Sequence, residues 1–364
     1  MPFPLDAGRL GLKLEKTFDL GPAGAIVATP TGAILRTRGD EVLDFVLTGA
    51  TAASKRIGGS EDADAVVEGV GSRGPPPACT RGVYAYWVTR SKLVRRAVHP
   101  SSAVAAPLEV LAEGALDGSR VAAESAVVPG TGLRREIAIY IAQAEKNGDE
   151  RGARIWVEGA GTAQLSSDGS GASSVALAAA ASGLVGVMLD ARSAMSPVHA
   201  RTIGVGESGP ARLGPDVVVF IGPSPEGHTE IAAAASQEGP LAFIPFAPDT
   251  SSFGLSSVAI GSDPHLDAHV QWRMYPSGLE PAPVAAAVLC GRTWVAYARP
   301  SAPTPASPHV LVLAPVEKGA FGPELSAAQG FDFMTVSLSP REDGGAWLSW
   351  VGNGRSFVRA IRCP

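Results

Sequence analysis

Between positions 190 and 201 the chain carries Asp190, Arg192, His199 and Arg201: a carboxylate, guanidinium groups and an imidazole in close succession. A guanidinium fork grips a carboxylate with parallel hydrogen bonds, and an imidazole gives or takes a proton near neutral pH. These are the catalytic candidates, suited to an acidic sugar or another carboxylate. The competing reading pairs Asp190 with Arg192 across a hairpin and makes His199 a hydrogen-bonded strand residue. A second group, Asp263, His265, Asp267 and His269, alternates donors strictly. On a strand, alternate residues lie about 6.6 Å apart, so one ion reaches two of them at most. In a loop, with a ligand from elsewhere, they could hold zinc or another divalent ion. In a helix, His265 and His269 would share a face. The competing reading is a polar surface insertion without metal. A third group sets Trp272, Arg273 and Tyr275 near one another, with Trp294, Trp347 and Trp350 further on. Exposed aromatics bury much area at little entropic cost, which suits a glycan- or protein-binding face. Trp294 and Trp350 sit in apolar runs and read as core, leaving Trp272, Arg273 and Tyr275 as ligand-binding candidates.

Signatures of particular reactions are missing. Glycoside hydrolysis needs paired carboxylates, and Glu158, Asp190 and Asp249 are available, but 35 acidic residues would supply such a set anywhere. There is no G-x-S-x-G nucleophile turn. GVGESG and GSGASS lack the Lys-Ser/Thr ending of a phosphate loop and read as turns. No cofactor is implied. The cysteines, Cys79, Cys290 and Cys363, have no C-x-x-C spacing; their odd number allows one bond and one free thiol.

The net charge of −5 argues against nonspecific nucleic-acid binding, which needs a concentrated basic face. The nearest approach is Arg90, Lys92, Arg95 and Arg96, read as an edge strand whose charge resists pairing. No run approaches the roughly 18 apolar residues that would span a bilayer. The first residues, MPFPLDAGRLGLKLEKTF, do not form a signal peptide. A cytoplasmic protein and the mature part of an exported one both fit, and the Lys-poor, strand-rich composition leans to export.

The elements that would position these residues are short strands. Gly at 43 and Pro at 30 are too many for a helical chain but suit tight turns. SSVALAAAASG, LVGVMLDARSA and SPVHARTIGVG read as strand, turn, strand, turn, strand, and the beat recurs throughout. In EIAIYIAQAE, Ile137, Ile139 and Ile141 share one face. First strands of successive units fall near 24, 63, 119, 173, 216, 284 and 333. In the fifth unit, SSFGLSSVAIGSDPHLDAH reads as an insertion. The last unit has three strands, with a hairpin at Gly352-Asn353-Gly354.

A period of about 50 residues resembles that of β-propellers, whose four-stranded blades need about 40–50. The Ala-rich runs VALAAAASG and PVAAAVLCG suit crowded strands around a central channel. The reading is therefore all-β: one propeller domain over residues 1–364, seven-bladed, with six or eight blades as alternatives. The N-terminal LGLKLEKTF would complete the last blade, since closure removes unpaired edges. Two β-sandwich domains are the competing architecture. The Trp-Asp dipeptide of WD40 blades is absent, and the Asp-box of sialidase-like propellers occurs only in fragments, at Ser166-Ser167-Asp168 and Asp343-Gly344-Gly345-Ala346-Trp347. Propellers host enzymes and passive scaffolds alike. The expectation is a noncatalytic scaffold presenting loops to a protein or glycan partner. A carbohydrate-active hydrolase or lyase, with its site at one end of the channel, is the alternative.

Overall fold

The computed structural model describes residues 11–22, 26–28, 33–38, 41–48, 51–58, 78–79, 84–97, 107–116, 119–143, 151–167, 171–180, 183–191, 195–223, 230–249, 252–261, 269–276, 283–302, 307–341 and 343–364. Their strands form antiparallel sheets of four or five, called here sheets 1 to 7 in chain order. Sheet 1 lies within residues 26–58, sheet 2 within 78–113, sheet 3 within 122–164 and sheet 4 within 172–223. Sheet 5 lies within 232–276, sheet 6 within 284–330 and sheet 7 within 333–362.

Within sheets 1 to 6 the strands follow one another outward in chain order, and buried apolar side chains fill the space between neighbouring sheets. Tyr86, Val88 and Leu93 of sheet 2 cluster with Tyr140 and Trp156 of sheet 3. Ile137, Ile139 and Ile141 pack against Val175 and Leu184 of sheet 4. Further clusters join sheets 4 and 5, 5 and 6, and 6 and 7. Each fully buried Ile or Leu contributes about 1.5–3 kcal/mol relative to exposure, so these layers hold the sheets face to face. The architecture is a β-propeller. Side-chain packing establishes six blades, sheets 2 to 7; sheet 1 is described by its backbone alone, so the expected count of seven is not carried by packing.

Small residues line the middle. The strands Ala172–Ala180, Ala232–Ser236 and Val284–Leu289 lie side by side. Ala176, Ala232 and Ala285 face the inter-sheet layers. Leu177, Ala233 and Ala286, one residue on, line cavities of about 140 and 230 Å³ along the channel. Strands crowded on both faces leave room for little beyond a methyl group. Arg120 closes one mouth, donating to Ile231 O at 2.9 Å and to Glu230 Oε2 at 3.3 Å.

Both chain ends meet in sheet 7. Lys13–Pro22 pairs with Arg355–Arg362 and supplies the outermost strand, as the hydrophobic alternation of LGLKLEKTF predicts. Asp19 and Arg355 form an ion pair across this seam at 2.8 Å. A disulfide joins Cys290, in the first hairpin of sheet 6, to Cys363 beyond the last strand. The predicted hairpin also forms, with Asn353 and Gly354 at positive φ between paired Gly352 and Arg355.

Three sequence readings are corrected. Lys92–Ala97 is not an edge: it lies between Tyr84–Thr89 and Glu109–Glu113, with Arg95 and Arg96 buried. DVVVFIG does not open the fifth unit; Val217–Pro223 is an outer strand of sheet 4, paired with Met195–Gly204. Nor is SSFGLSSVA an insertion. Ser252–Ala259 is the third strand of sheet 5, with Ser256 and Ser257 wholly buried. Its serines conceal from the hydrophobic pattern a strand covered on both faces. ADAVVEGV (63–70) lies outside the described residues.

Candidate functional site

Of the first catalytic group, Asp190, His199 and Arg201 lie on the paired second and third strands of sheet 4. Asp190, 5% exposed, ends the second strand of sheet 4, and its backbone pairs with Ala172. Arg192 lies outside the described residues. Arg201 donates to the backbone carbonyls of Gly214 and Leu165 at 2.6 and 2.7 Å, tying down the turns around it. His199 Nδ1 lies 2.9 Å from Asp216 Oδ1. The other oxygen of Asp216 accepts from Ser167 Oγ at 2.8 Å and Ser167 N at 3.2 Å. The hydrogen bond with His199 holds the Asp216 carboxyl below its ordinary range, against the opposing effect of burial, and Ser167 adds to it. The aspartate lies between serine and imidazole, so this is a strut and not a nucleophile–base relay. Sequence reasoning missed Asp216 because it belongs to the lead-in to an outer strand, 17 residues past His199.

Of the aromatic group, Trp272 and Tyr275 are placed by backbone only, opposite Ser256 and Phe253. Arg273 donates to Tyr297 Oη at 3.1 Å and to the carbonyls of Phe321 and Gly322 at 3.0 and 2.6 Å. Its guanidinium lies 5.0 Å from the Phe321 ring centre. Glu324 lies 3.4 Å from Arg273 and 2.7 Å from Arg299, and accepts from Tyr297 Oη at 2.6 Å. This network bolts sheet 5 to sheet 6. Trp294, Trp347 and Trp350 are all buried. Of the metal candidates, Asp263, His265 and Asp267 lie outside the described residues, and His269 opens an outer strand by its backbone.

A second charged centre joins sheets 2 and 3. Arg95 donates to Glu109 at 2.8 Å and to Glu158 at 3.2 Å, and stacks 4.3 Å from Tyr84 and 5.2 Å from Trp156. Tyr86 Oη donates to the buried Glu136 at 2.9 Å. Burial, then the Glu136 charge, pushes the Tyr86 phenol far up. Burial disfavours the Arg95 cation, but hydrogen bonds with Glu109, Tyr86 and Glu158 outweigh it and raise its pKa. Glu158, one of the acids considered for hydrolysis, is therefore engaged with a guanidinium.

Unlike these satisfied networks, a cleft of about 960 Å³ lies over the Ser236–Gly239 hairpin of sheet 5, walled also by sheets 4 and 6. Its floor is apolar, including Ala179, Val185, Leu241 and Ile260, and its polar lining includes Gln237, Glu238, Gln271 and Lys318. All four side chains are exposed. Among the described residues, none of the four has a side-chain hydrogen bond or ion pair. Local chemistry sets them there. Gln237 and Glu238 are the tip of a tight turn, in which Ser236 Oγ donates to Gly239 O at 2.6 Å and accepts from Glu238 N at 3.2 Å. Lys318 and Gly319 form another such turn, both at positive φ. The motif scan offered no sign of this cleft, because its residues come from separate sheets and are ordinary in type.

No protein-family model and no curated protein matches the chain. Solved structures do. AofleA from Arthrobotrys oligospora covers 86% of this chain, and 89% of its own length, at 14% identity and TM-score 0.45. A fucose-specific lectin from Aleuria aurantia covers 78%, and 88% of its own, at 13% and 0.46. YCF48 from Cyanidioschyzon merolae covers 96%, and 98% of its own, at 11% and 0.48. The likeness is one of fold alone.

Proposed function

We propose that the chain is a noncatalytic binding scaffold whose site is the cleft over the Ser236–Gly239 hairpin, holding a protein or glycan partner. The observation that carries this reading is the contrast in satisfaction. The acids and bases at Arg95, Glu324 and Asp216 are engaged with one another, while the cleft keeps Gln237, Glu238, Gln271 and Lys318 free for a ligand. Concave sites with an apolar floor and a few convergent polar groups are the usual form of ligand pockets. Trp272 and Tyr275 share a strand with Gln271, and we keep them as candidates for ligand contact. The Cys290–Cys363 bond supports an oxidising compartment and so an exported protein. We also infer that sheet 1 is a seventh blade: its first strand, Ile26–Ala28, lies against strands of sheets 2 and 7.

The test is thermal unfolding of the chain against a panel of glycans and peptides, with Gln237, Glu238, Gln271 and Lys318 all replaced by Ala in parallel. A ligand of the native state raises the midpoint by mass action. The expected result is a shift in the parent chain that vanishes in the variant, whose own midpoint is unchanged. A shift that survives in the variant overturns the site. Turnover of a glycan, abolished by His199→Ala or Asp190→Asn in a folded protein, overturns the noncatalytic reading in favour of a hydrolase or lyase.

A further inference from the structure

We propose that the occupant of this cleft is a neutral glycan chain, gripped along its length and not by its end; this rests on the cleft being the binding site. Carboxamides carry both donors and acceptors, and Gln237 and Gln271 present them from the hairpin tip and the outermost strand of sheet 5. That is the complement of sugar hydroxyls, which also donate and accept. Glu238 and Lys318 contribute one charge of each sign, so the cleft offers an acidic or basic polymer no net attraction.

The apolar lining argues against a protein partner at this place. Protein interfaces draw most of their energy from large anchors set in desolvated pockets. The large exposed apolar side chains of the described residues, among them Met195, Ile221, Met274 and Phe331, do not line the cleft. Its apolar lining consists of small and aliphatic side chains, such as Ala179, Ala235, Leu241 and Ala259. Aliphatic surface of this kind, without bulky anchors, suits the C–H faces of sugar rings.

Shape decides between a chain and a terminus. Ala179 and Ala235, on the innermost strands of sheets 4 and 5, line one end of the cleft. At the other side the cleft reaches the Lys318–Gly319 turn of sheet 6 and Gln271 on the outermost strand of sheet 5. A cleft whose lining runs from the innermost strands to the outermost one is elongated, which suits a chain laid along it. At about 960 Å³ it also lies at the top of the range for small-molecule sites.

The experiment is isothermal titration of the full chain with neutral gluco-, xylo-, manno- and galacto-oligosaccharides, from disaccharide to hexasaccharide. Oligogalacturonate and an unstructured peptide are run alongside. The expected result is that at least one neutral series binds about tenfold tighter or more as hexasaccharide than as disaccharide. Salt should leave that affinity unchanged, and Gln237→Ala with Gln271→Ala should weaken it about tenfold at an unchanged melting midpoint. Affinity independent of length overturns chain binding. Preference for oligogalacturonate or the peptide, lost in the same double variant, overturns the neutral glycan while leaving the cleft as the site. Binding untouched by the double variant overturns the cleft itself. Failure of every neutral series to bind overturns the proposal.

Discussion

Breaking the Cys290–Cys363 bond is expected to destabilise the propeller by about 4 kcal/mol. The cysteines are 73 residues apart. In the chain-entropy description a loop of that length removes about 15 cal/mol/K from the unfolded ensemble, or about 4 kcal/mol at 25 °C. Unfolding entropy near about 2.1 cal/mol/K per residue gives about 0.76 kcal/mol/K for a chain of 364 residues. The midpoint should therefore fall by about 5 °C. The assay is calorimetry of the parent chain, oxidised and reduced, beside Cys290→Ser/Cys363→Ser, which keeps near-isosteric side chains without the link. Urea titration adds an independent check: losing the link expands the unfolded chain, so the slope m should rise. A midpoint drop below about 1 °C with unchanged m would refute the argument, because the covalent tie would then constrain nothing that the strand pairing of Lys13–Pro22 does not.

Other outcomes follow from the charged networks and one turn. Glu324→Ala should cost about 3–5 kcal/mol in urea unfolding, because it leaves Arg299 and Arg273 without their carboxylate in a largely buried setting. Asp216 has a depressed folded pKa, so its contribution is present above the unfolded value of about 3.9 and is lost as pH falls through the lower folded value. Asp216→Asn should flatten that acid limb in a plot of midpoint against pH, and an unaltered limb would contradict the pairing. At Gly183, φ is +143° and an added Cβ would meet Ile203 O at 2.6 Å. Gly183→Ala should therefore cost more than about 1 kcal/mol, measured as a lowered urea midpoint.

Much of the fold was legible because it rests on local pattern. Alternating isoleucines at 137, 139 and 141 and the alanines of the inner strands encode burial residue by residue. The N-terminal strand was legible by elimination, since a three-stranded last unit needs a partner. What failed depended on neighbours far along the chain. Arg95 looked like an edge charge because the carboxylates that neutralise it, Glu109 and Glu158, lie 14 and 63 positions away. The buried Ser256 and Ser257 carried no hydrophobic signal. The cleft was illegible for the same reason: Gln237, Gln271 and Lys318 acquire meaning only when sheets 5 and 6 bring them together.

The seam in sheet 7 also dictates an order of events. Asp19 and Arg355 are separated by 336 positions, so the contact between the first and last strands is among the most non-local that this chain can make. During synthesis the Lys13–Pro22 strand emerges more than 300 positions ahead of its partner strand Arg355–Arg362 and then waits for it. Through that interval it is an unpaired strand, able to join a neighbouring nascent chain instead of its own. The alternation of charged Lys13, Glu15 and Lys16 with apolar Leu12 and Leu14 then acts in time as well as in space, discouraging foreign edges until the correct one arrives. Pairing across this seam therefore cannot precede the synthesis of Arg355–Arg362.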